Sequence, residues 1–120
     1  MEITKLLDIL KSELSQAFLY TKNFHSNIFK YTLDSHDEVH LHVALLYLSQ
    51  AFTCINSAKL IYTQYSEPGE CSEFEDVIHR FKVLNNEFLA SYSTNHSLQW
   101  TDIEYNKFVK SYETFKQIFG

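Results

Sequence analysis

The residues best equipped for chemistry sit close together, in the stretch DSHDEVHLHVALLYLSQ that runs from Asp34 to Gln50. It holds His36, His40 and His42, half of the chain's six histidines, beside Asp34, Asp37 and Glu38. A helix turns about 100° per residue. His36 and His40 would then share one side, the i,i+4 spacing that zinc-binding helices use. His42 would fall about 160° away from His40, across the helix. The three cannot share an ion, and the sequence supplies no third ligand for the pair. The plain expectation is the solvated first turn of a helix.

Asp37-x-x-His40 and Asp76-x-x-His79 echo the Glu-x-x-His pairs of di-iron bundles. One falls at the start of a second helix and the other early in a third. Antiparallel packing would hold those turns on the order of 30 Å apart. No metal ligand, cofactor or catalytic residue is therefore expected. The cysteines agree. Cys71 sits where a helix N-terminus would favour its thiolate, but His79 lies eight residues on and cannot easily serve as its base. Cys54 falls on an apolar helix side, where a free thiol is ordinary packing. With no paired cysteine spacing, two free thiols in a reducing compartment are expected.

The elements that must position these groups are helices. Two glycines and one proline in 120 residues leave little for the turns and phosphate loops of β or nucleotide-binding folds. Helix 1, about residues 2 to 30, carries Ile3, Leu7, Leu10, Leu14, Ala17, Thr21, Phe24, Ile28 and Tyr31 at alternating 4,3 spacing, a heptad seam broken only by Thr21. Helix 2, from Ser35 to near Tyr65, has the stripe Leu41, Leu45, Leu48, Phe52, Ile55 and Tyr62. Helix 3 has Phe74, Ile78, Phe81, Leu84, Phe88 and Tyr92; helix 4 has Tyr105, Phe108, Val109, Tyr112, Phe115 and Ile118. SHDE, SEFE and TDIE, beginning at Ser35, Ser72 and Thr101, read as capping boxes. Short connections predict antiparallel neighbours. The expected fold is all-α: an antiparallel up-down four-helix bundle with a long helix 1–2 hairpin, one domain over residues 1–120.

Net charge is −5, and the ten basic residues are scattered, with Arg80 the one arginine. Nucleic-acid binding needs a basic cluster and is not expected. Val39 to Ala58 is uncharged for 20 residues, the length of a membrane span. Its histidines, serines, threonine, asparagine and glutamine are costly in lipid, so no membrane span is expected. The N-terminus lacks an apolar h-region, so neither is a cleavable signal.

Three features point to a protein partner. If helices 1 and 2 outreach helix 3, their turn projects, carrying Phe24, Ile28, Phe29, Tyr31, Leu33, Val39, Leu41 and Val43, unless helix 1 breaks near residues 21–23 and folds the tip back. An exposed apolar patch marks a partner site. Helix 2 also carries His42, Ser49, Gln50, Thr53, Asn56, Ser57 and Thr63 on one arc without a charge, as interface cores do. Finally, Glu67, Glu70, Glu73, Glu75 and Asp76 form an acidic patch that would suit a basic partner.

In size, helical make-up and Lys/Asn/Phe/Tyr-rich composition, the chain resembles small helical regulators of intracellular bacteria. These include the Legionella type that inhibits ubiquitin-directed deamidase and transglutaminase effectors. The resemblance spans the chain at the level of composition and maps no residue, so it carries over no site. It implies a protein inhibitor. The expected function is a non-enzymatic protein-binding module, an inhibitor or regulator occupying the surface of a bacterial enzyme or effector. It would act in the cytoplasm, or in a host cytosol reached by a signal the sequence does not display. The alternatives are a small metal- or cysteine-dependent enzyme or sensor at the helix 1–2 tip, and a structural homodimer subunit or secretion chaperone.

Overall fold

A computed structural model describes residues 2–33, 37–94 and 97–120. The chain is all-α: α1 (Ile3–Leu33), α2 (Glu38–Tyr65), α3 (Ser72–Ser93) and α4 (Gln99–Phe119). It divides into two compact units, Met1–Tyr65 and Ser66–Gly120. Each is a helical hairpin, α1 against α2 and α3 against α4.

In the first hairpin α1 buries Leu10, Leu14, Ala17, Thr21, Phe24 and Ile28. The 4,3 spacing continues without interruption, because one strip of a helix stays against its neighbour when apolar residues recur every seven positions. Thr21 does not break the seam. Its hydroxyl donates to the Ala17 carbonyl at 2.7 Å, so the buried oxygen is satisfied within the helix. The break considered near residues 21–23 is absent, and α1 runs unbroken for 31 residues.

The α2 seam differs from the stripe expected of it. Its buried residues are Leu41, Ala44, Leu48, Ala51, Ile55, Ala58 and Tyr62. Leu45 is only half-buried and Phe52 is exposed. Ala44, Ala51 and Ala58 recur every seven residues and are fully buried. Small side chains at a seam permit a close approach of the two helices. Leucine at those positions would hold them apart. The hairpin is antiparallel: Tyr20 stacks on Tyr47 with centroids 6.3 Å apart, and one heptad back on α1, Glu13 pairs with Cys54, one heptad forward on α2.

The second hairpin closes on rings. Phe74 meets Phe115 edge-on at 6.3 Å, and Phe81 meets Phe108 the same way at 5.9 Å. Seven residues forward on α3 are again seven back on α4. Such pairs contribute roughly 0.5–1.5 kcal/mol beyond the area they bury. The Ser111 hydroxyl donates to Asp76 across the helices. Tyr92 and Ile118, expected in the stripes, are exposed.

Neither of the two boxes within the described residues, at Ser72 and Thr101, caps its helix as the sequence suggested. α2 begins at Glu38, and the Asp37 carboxylate accepts the Val39 N–H at 2.9 Å; Ser35 lies outside the described residues. α3 is preceded by Cys71, with no side-chain cap bond. The Glu75 carboxylate turns instead to the Gly69 N–H at 2.7 Å, and Gly69 supplies the positive φ of that turn. α4 begins two residues early, at Gln99, whose N–H donates to the Ser97 hydroxyl at 3.2 Å. Thr101 is therefore inside the first turn, where its buried hydroxyl and Glu104 Oε2 have no hydrogen-bond partner among the described residues.

Candidate functional site

Once α2 has turned Leu41, Leu48, Ile55 and the alanines toward α1, its other residues fall into rows seven apart. A heptad falls about 20° short of two full turns, so such rows run nearly parallel to the axis. One row is Val39, Leu46, Thr53 and Leu60; these are exposed, the three apolar side chains by 64%, 66% and 70%. A second row, nearer the seam, is Glu38, Leu45, Phe52 and Lys59. Between them run His42, Ser49, Asn56 and Thr63, uncharged and small. The result is a face with two largely apolar rails and a polar groove floor. Charge enters only at its two ends, as Glu38 and Lys59. Val39, Leu46 and Leu60 thus form an exposed apolar row, and no Asp, Glu, Lys or Arg lies between the two ends of the face.

Small polar groups on this face are turned inward. The Thr53 hydroxyl donates to the Ser49 carbonyl at 3.1 Å and that of Thr63 to Leu60 at 3.0 Å. They thus present methyl groups more than donors. His42 Nε2 lies 3.9 Å from the Glu38 carboxylate, both well exposed.

The structure separates the other expected site residues. Phe24, Ile28 and Leu41 are core residues of the first hairpin, buried in its seam, and do not belong to an exposed apolar patch. Phe29 is 58% exposed and Tyr31 half-buried; the Leu33 side chain lies outside the described residues. Val39, His42, Ser49 and Thr53 are exposed on the α2 face, with Asn56 half-buried in it. The residues missed from the sequence are Leu46 and Leu60, with Leu45, Phe52 and Lys59 beside them. Their seven-residue spacing from Val39 was the available signal.

The acidic segment has a local explanation. Glu70 Oε2 accepts the Glu67 N–H at 3.0 Å, and Glu75 holds Gly69. Glu73 accepts the Ser72 hydroxyl at 3.2 Å and lies 4.0 Å from the Cys71 thiol. Asp76 accepts from Ser111 and lies 3.9 Å from Arg80. Four of the five acids thus tie down the turn before α3 and its first turns, which removes most of the reason to assign them a basic partner.

Both cysteines sit where burial disfavours the thiolate. Burial pushes the Cys71 thiol up, and the neighbouring Glu73 and Glu75 add to this. Burial and then Glu13 push Cys54 up. Neither cysteine is in a disulfide. Among the described residues no three of His, Cys, Asp and Glu come together as a metal site; His36 lies outside them. Among them, too, no helix is long and apolar enough to cross a membrane. On the second hairpin, Glu87, Ala90, Ser91, Thr94 and Trp100 line an open concavity of about 450 Å³. Its Ser91 hydroxyl is already bonded to Glu87 at 3.0 Å. Comparison with protein-family models, curated proteins and solved structures finds no match for the chain.

Proposed function

We propose that the chain is a non-enzymatic protein-binding module that docks through the outer face of α2. The observation that carries this is the exposed row Val39, Leu46, Thr53 and Leu60 beside an uncharged polar row. A face maintained only for solvation would carry Lys, Glu and Asp, as the other three helices do. Its role is that of an inhibitor or regulator that occupies another protein's surface, an enzyme or effector among them. Two free thiols suit a reducing, cytoplasmic setting.

The test is site-directed photocrosslinking in native lysate from a crosslinking residue at Ser49, with one at the exposed Glu113 of α4 as control. Crosslinks should form from Ser49, and Leu46→Asp should abolish them. Binding should survive chelation and cysteine alkylation together. Equal crosslinking from both positions, or indifference to Leu46→Asp, would remove the face from the reading.

A further inference from the structure

The α2 face matches itself when turned end for end. α2 carries two charged residues in 28, Glu38 at its start and Lys59 near its end, and both lie in the same row. They stand eleven residues before and ten after Ser49. The other residues of the two rows are disposed about the same point: Leu45 and Phe52 in one row, Leu46 and Thr53 in the other, then Val39 and Leu60 outside them, all but Thr53 apolar. We infer that this face pairs with the α2 face of a second copy, antiparallel, about a two-fold axis passing near Ser49. The inference rests on the docking-face reading and names one occupant of that face.

The symmetry fixes the contacts. A two-fold axis perpendicular to the plane of an antiparallel helix pair sets each row against the same row of the other copy, reversed, in the self-complementary pattern of an isologous interface. Glu38 then meets Lys59 of the second copy, and Leu45 meets Phe52. In the other row Val39 meets Leu60, and Leu46 meets Thr53. Each contact occurs twice. Ser49 meets its own counterpart at the axis, where a small side chain lets the helices cross closely. From Glu38 to Leu60 the strip is about 33 Å long. A parallel pair would gather both acids at one end and both lysines at the other, so charge selects the antiparallel arrangement. A face closed this way cannot hold a client protein at the same time, so client and second copy compete.

Sedimentation equilibrium into the high-micromolar range tests this directly. The wild-type chain should show a reversible monomer–dimer equilibrium. Leu46→Asp and Leu60→Asp should each leave a monomer whose circular dichroism and melting temperature match the wild type. Glu38→Lys and Lys59→Glu should each weaken the dimer about tenfold, since two like-charge contacts replace two attractive ones. Mixing these two variants should restore it as a heterodimer. The direction is read from disulfide trapping with copper phenanthroline in a Cys54→Ser, Cys71→Ser background. Ser49→Cys should link to itself. His42→Cys, which would face Asn56 of the second copy, two heptads from that copy's own residue 42, should not; a parallel pair would link both. A monomer at every concentration, or a dimer indifferent to Leu46→Asp, overturns the inference. If the chain is monomeric while Leu46→Asp still abolishes crosslinking to a client, self-pairing fails and the docking face stands. If a Leu46-dependent dimer forms and no client crosslinks from Ser49, self-pairing stands and the client-binding role fails.

Discussion

Hairpin 2 closes on phenylalanines, with Phe74 and Phe81 of α3 set edge-on against Phe115 and Phe108 of α4. Hairpin 1 closes on alanines, with Ala44, Ala51 and Ala58 of α2 recurring in a seam with leucines and isoleucines. The outsides differ in the opposite sense. α3 carries Glu73, Glu75, Asp76, Arg80, Lys82 and Glu87; α4 carries Asp102, Glu104, Lys107, Lys110, Glu113 and Lys116. α2, the longer helix, carries only Glu38 and Lys59. The lesson is one of allocation. Hairpin 2 places Phe74, Phe81, Phe88, Phe108 and Phe115 inside and carries charge along both helices, with Leu89, Tyr92, Trp100 and Ile118 exposed among it. Hairpin 1 fills much of the α2 side of its seam with methyl groups and leaves Val39, Leu46 and Leu60 outside. A helix whose apolar residues are split between two faces is arranged for two neighbours, and only one of them is within its hairpin.

Truncating a ring in hairpin 2 should therefore cost most. Phe81 is fully buried against Phe108, and Phe81→Ala should destabilise by about 3–5 kcal/mol. Trp100, the one tryptophan, lies in α4, so its fluorescence in a urea titration reports this hairpin. A shift worth less than about 1 kcal/mol would mean the rings are not what closes it.

Hairpin 1 should fail in the opposite way, by overfilling. Ala51 has no exposed surface, and leucine there would force the helices apart. Ala51→Leu should cost about 1–3 kcal/mol, read by circular dichroism at 222 nm. At Leu46, on the outer face, Leu46→Ala should be nearly neutral for folding. A stabilising Ala51→Leu would show that the seam has room and that the alanines do not set the spacing. The cap comes next: Asp37→Ala removes the acceptor for the Val39 N–H and should cost about 0.5–2 kcal/mol. Asp37→Asn should recover most of it, because the amide oxygen can accept the same bond.

Much of this was legible. The α1 seam from Leu10 to Ile28 follows from spacing alone, and four helices follow from the stripes. The α2 seam was misread because hydropathy favours Leu45 and Phe52 over Ala44 and Ala51. A buried position is chosen by fit as well as by apolarity, and close helices need small residues. The caps expected at Ser72 and Thr101 were misplaced because nearby groups compete for the same bonds. Ser97 stands two residues from α4, and Glu75 finds the Gly69 N–H in the preceding turn. Of the candidate face, the absence of charge from Val39 to Ala58 was visible. Its apolar rows were not, because which side of α2 faces outward depends on which side the alanines bury.

The smallest effect should come from Phe29, and it separates the tip from the core within one helix. Phe24 and Phe29 stand five residues apart on α1. Five residues turn a helix by about 500°, which leaves them about 140° apart around the axis. One ring is therefore buried in the hairpin seam, with no exposed surface, while the other is 58% exposed. Phe24→Ala should cost what a core ring costs. Phe29→Ala should change folding stability by no more than about 0.5 kcal/mol, as surface substitutions do. The same variant should keep the self-association assigned to α2, since Phe29 belongs to neither of its rows. If Phe29→Ala lowers the melting temperature as much as Phe24→Ala, the tip packs against something in the folded chain and the exposed end of hairpin 1 is no longer exposed. If stability is unchanged but client crosslinking from Ser49 falls, the docking surface extends from α2 onto the end of α1.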